Sequence, residues 1–177
     1  MTKIMGLMIV AGLAACAGRA GTQTLAPSSA PALGIAELKF FLGDDVVVHL
    51  ARDGALSARS WSGDQGIVSD TWTAQGSLTA DALLTSTSGG PAGQLTADGT
   101  FKANDGTVAD FRLVGETLVV GGKRVTIDSD GMVLVNGHVT RGMRVEGASD
   151  PSCRRTALLV MAIALLGPAR PTALATR

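Results

Sequence analysis

The chain has 177 residues, 15 of them basic and 15 acidic, so its formal charge at neutral pH is zero. No basic run is longer than Arg154-Arg155, which speaks against nucleic acid, because phosphate contacts demand clustered Lys and Arg. Tyr is absent and aromatics make up 3% of the chain, so platforms that bind carbohydrate or single strands by stacking are disfavoured as well.

The N-terminal segment reads as a secretory signal. Lys3 supplies a positive n-region, and Ile4 to Leu13 form an apolar stretch too short to span a hydrocarbon core, which takes about 20 residues. The stretch closes on Leu13-Ala14-Ala15-Cys16. This tetrapeptide resembles the lipobox of bacterial lipoproteins, and the resemblance implies that residues 1–15 are removed and that Cys16 becomes a lipidated N-terminus. A thiolate is a strong enough nucleophile to take a diacylglyceryl group. Each buried CH₂ of palmitate-type chains contributes about 0.8 kcal/mol, so two or three chains hold where one would not. The implied partner is therefore membrane lipid. Ala17 stands where an Asp would favour retention in the inner membrane of enterobacteria, which implies the outer membrane of the cell envelope.

Residues 16–34 form a lipidated N-terminus and flexible tether of Ala, Gly, Ser, Thr and Pro, with almost nothing to bury. With Cys16 consumed, Cys153 has no partner for an internal disulfide.

From residue 35 to 149 the chain predicts a single β-rich domain. Leu38, Phe40 and Leu42 alternate onto one face, and Val46 to Leu50 meets Ala55 to Trp61 across Arg52-Asp53-Gly54. Ile67 to Ala74 and Ser77 to Thr85 are weaker strand signals, and Ser86 to Pro91 reads as an exposed loop. Short runs then recur at 94–97, 100–103, 107–114, 117–120, 124–128, 132–135, 138–141 and 143–146, with Gly-containing turns between most of them. Such spacing predicts an antiparallel meander of short strands, as an open sheet, a sandwich or a small barrel.

Asp150-Pro151 is an N-cap followed by a favourable first helical residue, and Gly167-Pro168 is a stop, so a C-terminal helix is expected over 150–167 with a disordered tail at 168–177. Ala157 to Leu166 is apolar on every side. The helix therefore either packs on the concave or open face of the sheet, touches the membrane, or acts as a C-terminal sorting tag; packing is favoured because a thin meander needs a second layer.

Catalytic, metal and cofactor constellations are not legible. Asp128-Ser129-Asp130-Gly131 opens like a Ca²⁺ loop, but Met132, Val133 and Leu134 follow without oxygen ligands, so a hairpin turn is expected. His49 and His138 lack neighbours at metal spacing, and no G-x-S-x-G elbow occurs. Trp61 and Trp72 are expected in the core. The Gly/Asp-Gly meander ending in an Arg-Arg-Thr-Ala helix is loosely similar to uncharacterised β-rich lipoproteins of myxobacteria, a likeness that brings no activity with it. The expected role is that of a lipid-anchored envelope lipoprotein, structural or binding and not catalytic. The alternative is a carrier of a small apolar ligand, its barrel closed by the helix.

Overall fold

A computed structural model describes residues 32–62 and 66–166, without the side chains at 61, 62, 66–68, 165 and 166. The signal segment, Leu13-Ala14-Ala15-Cys16, most of the tether and the tail at 168–177 lie outside the described residues.

Twelve strands follow one another as an up-and-down meander: β1 Leu38–Leu42, β2 Asp45–Leu50, β3 Ala55–Ser62, β4 Gly66–Leu78, β5 Leu83–Thr85, β6 Pro91–Leu95, β7 Thr100–Ala103, β8 Val108–Val114, β9 Thr117–Val120, β10 Lys123–Ile127, β11 Met132–Val135 and β12 His138–Glu146. Each pairs antiparallel with its neighbours in sequence. The meander then closes on itself, Phe40 of β1 opposite Val145 of β12, so the open-sheet and sandwich alternatives give way to a closed barrel.

Six of the hairpins share one device. At 51–55, 79–83, 86–90, 96–100, 103–107 and 128–132 the first residue's N–H bonds the carbonyl of the fifth, and the fourth residue's N–H bonds the carbonyl of the first. The fourth residue is left-handed in each, Gly at five positions and Ala82 (φ 59°) at the sixth. This is a type I turn followed by a bulge residue. The Asp before the Gly has its own task, since Asp53, Asp98 and Asp105 accept the N–H of the residue two further on, through Oδ1. The Ca²⁺-like Asp128-Ser129-Asp130-Gly131 is one of these turns, with Asp128 Oδ1 accepting from the N–H groups of Asp130 and Met132.

Strand alternation sorts the side chains. In β8, Ala109, Phe111 and Leu113 point inward and are buried, while Val108, Asp110, Arg112 and Val114 are exposed. A barrel of eight strands is about filled by its own side chains, so twelve leave a lumen that needs further filling. The filler is α1, Pro151–Met161, extended by a π-helical segment Ala162–Leu166. Together they run about 24 Å at 1.5 Å per residue, a length comparable with the barrel wall. Ala157, Leu158, Leu159, Val160 and Ala162 have no exposed surface, and Met161 is 5% exposed. Consecutive residues on every side of a helix can be buried only if wall surrounds it, which is why this segment is apolar all round. The packing expectation holds, with the barrel interior in place of an open face.

The helix is fixed where it enters. Asp150 Oδ1 accepts from the N–H groups of Ser152 and Cys153, and Pro151 occupies the first turn. Arg154 Nε bonds Glu116 Oε2 in the β8–β9 turn at 2.6 Å. Thr156, the one fully buried polar residue among those described, donates its hydroxyl to the Ser152 carbonyl. Leu33 and Gly34, expected as tether, are instead packed here: Leu33 is 5% exposed, Gly34 N–H bonds the Ser152 carbonyl, and Arg155 bonds the Ala32 carbonyl.

One pair of strands departs from the barrel. β3 pairs with β2 only over Leu56–Ala58, and β4 pairs with β5 only at Ser77 and Leu78. The remaining residues of β3 and β4 pair only with each other, through three register shifts, and form a two-stranded arm. Ile67–Ala74 and Ser77–Thr85, read as two weak strands, are therefore one long strand, a turn at 79–82 and the short β5.

Candidate functional site on the outer wall

Among the described residues the lumen is closely filled. A void of about 20 Å³ remains between Phe40, Val47, Val133, Val145 and Met161, room for about one water. An apolar ligand would enter only if the helix withdrew.

A concave feature lies on the outside, a groove of about 530 Å³ over β12, β1 and β2, with Arg59 and Trp72 of the arm on one side. Register places its members together. Lys39 is opposite His49, and His49 is opposite Ser57, so the outward residues of three adjacent strands share one surface. Glu37 precedes β1 at the edge of this surface. Its carboxylate lies 3.5 Å from Lys39 Nζ, 3.6 Å from His49 Nε2 and 3.8 Å from Arg52 Nε. The Lys39 ammonium is the main cause that holds the Glu37 carboxyl below the usual range, with His49 and Arg52 assisting.

Trp72 is 38% exposed rather than in the core, because the arm carrying it leaves the barrel. The Arg59 guanidinium covers its ring at 4.6 Å, and the His49 ring meets it edge-on at 6.2 Å. Cations favour the face of an indole, which accounts for the stack. At the far end of the groove Arg144 lies over Phe41 at 3.6 Å and pairs with Glu146.

Two nitrogens here are left over. His49 Nε2 and Arg59 Nε are covered by neighbouring atoms yet have no hydrogen-bond partner; Glu37 is 3.6 Å from the first, and Asp70 lies 3.9 Å from Nη1 of the second. Buried polar atoms are normally satisfied, so such a pair marks a place that gains from a polar partner. Asp44 and Asp45 line the same groove without an ion pair among the described residues.

The arrangement suits binding more than covalent chemistry. Ser57 faces His49 across the strand pair, but no hydrogen bond joins its hydroxyl to the imidazole, and activation of a nucleophile requires one. Among the described residues no three His, Cys, Asp or Glu side chains gather as a metal-holding group. His138 is exposed at the start of β12, away from the groove. Cys153 is buried at the helix entrance, where desolvation is the main cause that raises its thiol pKa. The Trp61 side chain and the lipobox residues, Cys16 included, lie outside the described residues.

Glu37, Arg59 and Trp72 are not legible as a group in the sequence because they come from separate places, the approach to β1, β3 and β4. The available signal was that Lys39, His49 and Arg59 fall on the polar side of their strands' alternation. Compared with known proteins, the chain matches no family model, no curated protein and no solved structure.

Proposed function

We propose that the protein is a lipid-anchored lipoprotein of the cell envelope, held in the membrane through acylated Cys16, with a non-catalytic binding role on its outer wall. The observation that carries the anchor is Leu13-Ala14-Ala15-Cys16 directly behind a basic, apolar segment. The filled lumen supports an outer-wall role over that of an apolar-ligand carrier. Ala32 is held by Arg155 at the end where the helix enters, so the anchored chain reaches the barrel from that end. The groove then runs along the side of the barrel, from Glu37 near the anchored end to Asp44 at the opposite one. The outer membrane is the favoured location, since Ala17 follows the Cys.

Metabolic labelling with a fatty-acid analogue tests the anchor. Label should enter the native chain and disappear in Cys16→Ala, with the unlabelled variant released from the membrane fraction. Undiminished labelling of Cys16→Ala would overturn the proposal.

A further inference from the structure

The outer groove is charged in opposite senses along its length. Around His49 the cations Lys39, Arg52 and Arg59 face two carboxylates, Glu37 and Asp70, at 3.5 to 3.9 Å. One positive charge is in excess there. Further along β2, Asp44 and Asp45 are both exposed, and neither enters an ion pair among the described residues. Between the two the floor is apolar, with half-buried Phe41 and Val46 side by side across β1 and β2. Arg144 and Glu146, beside this floor, balance each other.

The unpartnered nitrogens lie at the positive part. His49 Nε2 and Arg59 Nε belong to side chains 32% and 25% exposed, and both side chains pack on Trp72. Arg59 directs Nη1 toward Asp70, which leaves the Nε edge of its guanidinium unused. Small rotations of two partly exposed side chains bring this edge and an Nε2–H imidazole into the groove. A carboxylate has two oxygens, one for each donor.

We propose that the groove binds a short extended peptide with both termini free, its carboxylate held by His49 and Arg59 and its ammonium by Asp44 and Asp45. The length fits. From Asp45 to His49 is four steps of β2, about 13 Å at 3.3 Å per residue, and an extended tetrapeptide spans the same. The groove of about 530 Å³ falls within the roughly 300–1,000 Å³ of small-ligand clefts. Small apolar side chains of the peptide would lie on Phe41 and Val46. A simple anion would leave Asp44 and Asp45 unanswered, and a simple cation would leave the two nitrogens so. The assignment rests on the outer-wall binding role proposed above and is independent of the anchor.

Calorimetric titration of the full chain with tetraalanine tests it. Tetraalanine should bind at millimolar concentration. Capping either end, as N-acetyl-tetraalanine or tetraalanine amide, should weaken binding about tenfold, the effect of one lost hydrogen bond to a charged group. Variants then assign the ends. In the double variant His49→Gln, Arg59→Gln the amide should bind as well as the free acid, while acetylation still weakens binding. In Asp44→Asn, Asp45→Asn the acetylated peptide should bind as well as the free amine, while amidation still weakens binding. Asp110→Asn, exposed on β8, should change nothing. Absence of binding, equal binding of the capped peptides, or acetate binding as tightly as tetraalanine overturns the proposal. So does dependence on both ends that persists in both double variants, with circular dichroism unchanged. Exchange of the two dependences between the variants overturns the orientation, and their loss in Asp110→Asn overturns the location. None of these results alters fatty-acid labelling at Cys16, so the peptide site and the anchor fail separately.

Discussion

The turn at Thr96–Thr100 permits a controlled test of how the barrel is closed. Gly99 and Gly106 both follow an Asp in the same turn, with φ of 82° and 85°. Their surroundings differ. A Cβ on Gly99 would overlap the Leu113 carbonyl oxygen, whereas one on Gly106 would meet nothing within 4 Å. Alanine in the left-handed region costs roughly 1–2 kcal/mol. Part of that is offset by about 0.4–1 kcal/mol from the stiffer unfolded chain. Gly106→Ala should therefore lose about 1 kcal/mol or less. Gly99→Ala carries the same term and must also push β8 away, weakening the 2.8 Å bond from Leu113 N–H to the Gly99 carbonyl. A net bond of about 0.5–1.5 kcal/mol, plus about 1–3 kcal/mol if the buried groups are left unsatisfied, sets the additional loss near 2 kcal/mol. At a urea m-value of about 2 kcal/mol/M the two midpoints should separate by about 1 M. Coincident midpoints would refute the close approach between turn and neighbouring strand as the reason for glycine at 99.

The helix inside the barrel should be the most sensitive segment: Leu158 is fully buried among wall residues, so Leu158→Ala should cost about 2–5 kcal/mol in a chemical melt. A loss below about 1 kcal/mol would mean the lumen is not packed around it. Acid should act through the turns and the helix cap. Asp98 is lowered to about 2 by hydrogen bonds from the Thr96 and Thr100 hydroxyls, and Asp105 and Asp150 are lowered by bonds from Thr107 and from Ser152 and Cys153. A carboxyl depressed in the folded state favours folding above its ordinary pKa near 3.8 and loses that contribution as pH falls through the folded value. The denaturation midpoint should thus drop between about pH 4 and pH 2, and less steeply in Asp98→Asn, as read from urea titrations at stepped pH. Equal slopes in the two proteins would count against Asp98.

Much of the fold is local chemistry and could be read directly. Asp-Gly at 53, 98, 105 and 130 marks turns because Gly takes positive φ while an Asp, the one before the Gly in the first three and Asp128 in the fourth, accepts the loose N–H, and each becomes a hairpin. The fifth turn of this kind at Asp81-Ala82 was hidden, because Ala fills the glycine place and Thr79 to Leu83 then looks like continuous strand. Asp150-Pro151 announced the helix for the same local reason. The outer groove was not legible. Glu37, His49, Arg59 and Trp72 meet only after β1, β2, β3 and β4 take their registers, and a shift of one residue would turn their side chains to the other face.

The division between sequence and structure falls at Ala157–Leu166. Its uniform apolar character determined that the segment would avoid water but left open whether a sheet or a membrane would cover it, and alternation in the strands determined that each would have one apolar face. Neither states how many strands the meander must close upon. Closure of β1 on β12 decided that the apolar faces form one lumen, wide enough to take a helix, and so turned a helix that might have covered a sheet into the core of a barrel. The same closure put polar side chains on the outer wall, where residues distant in sequence are adjacent through strand register.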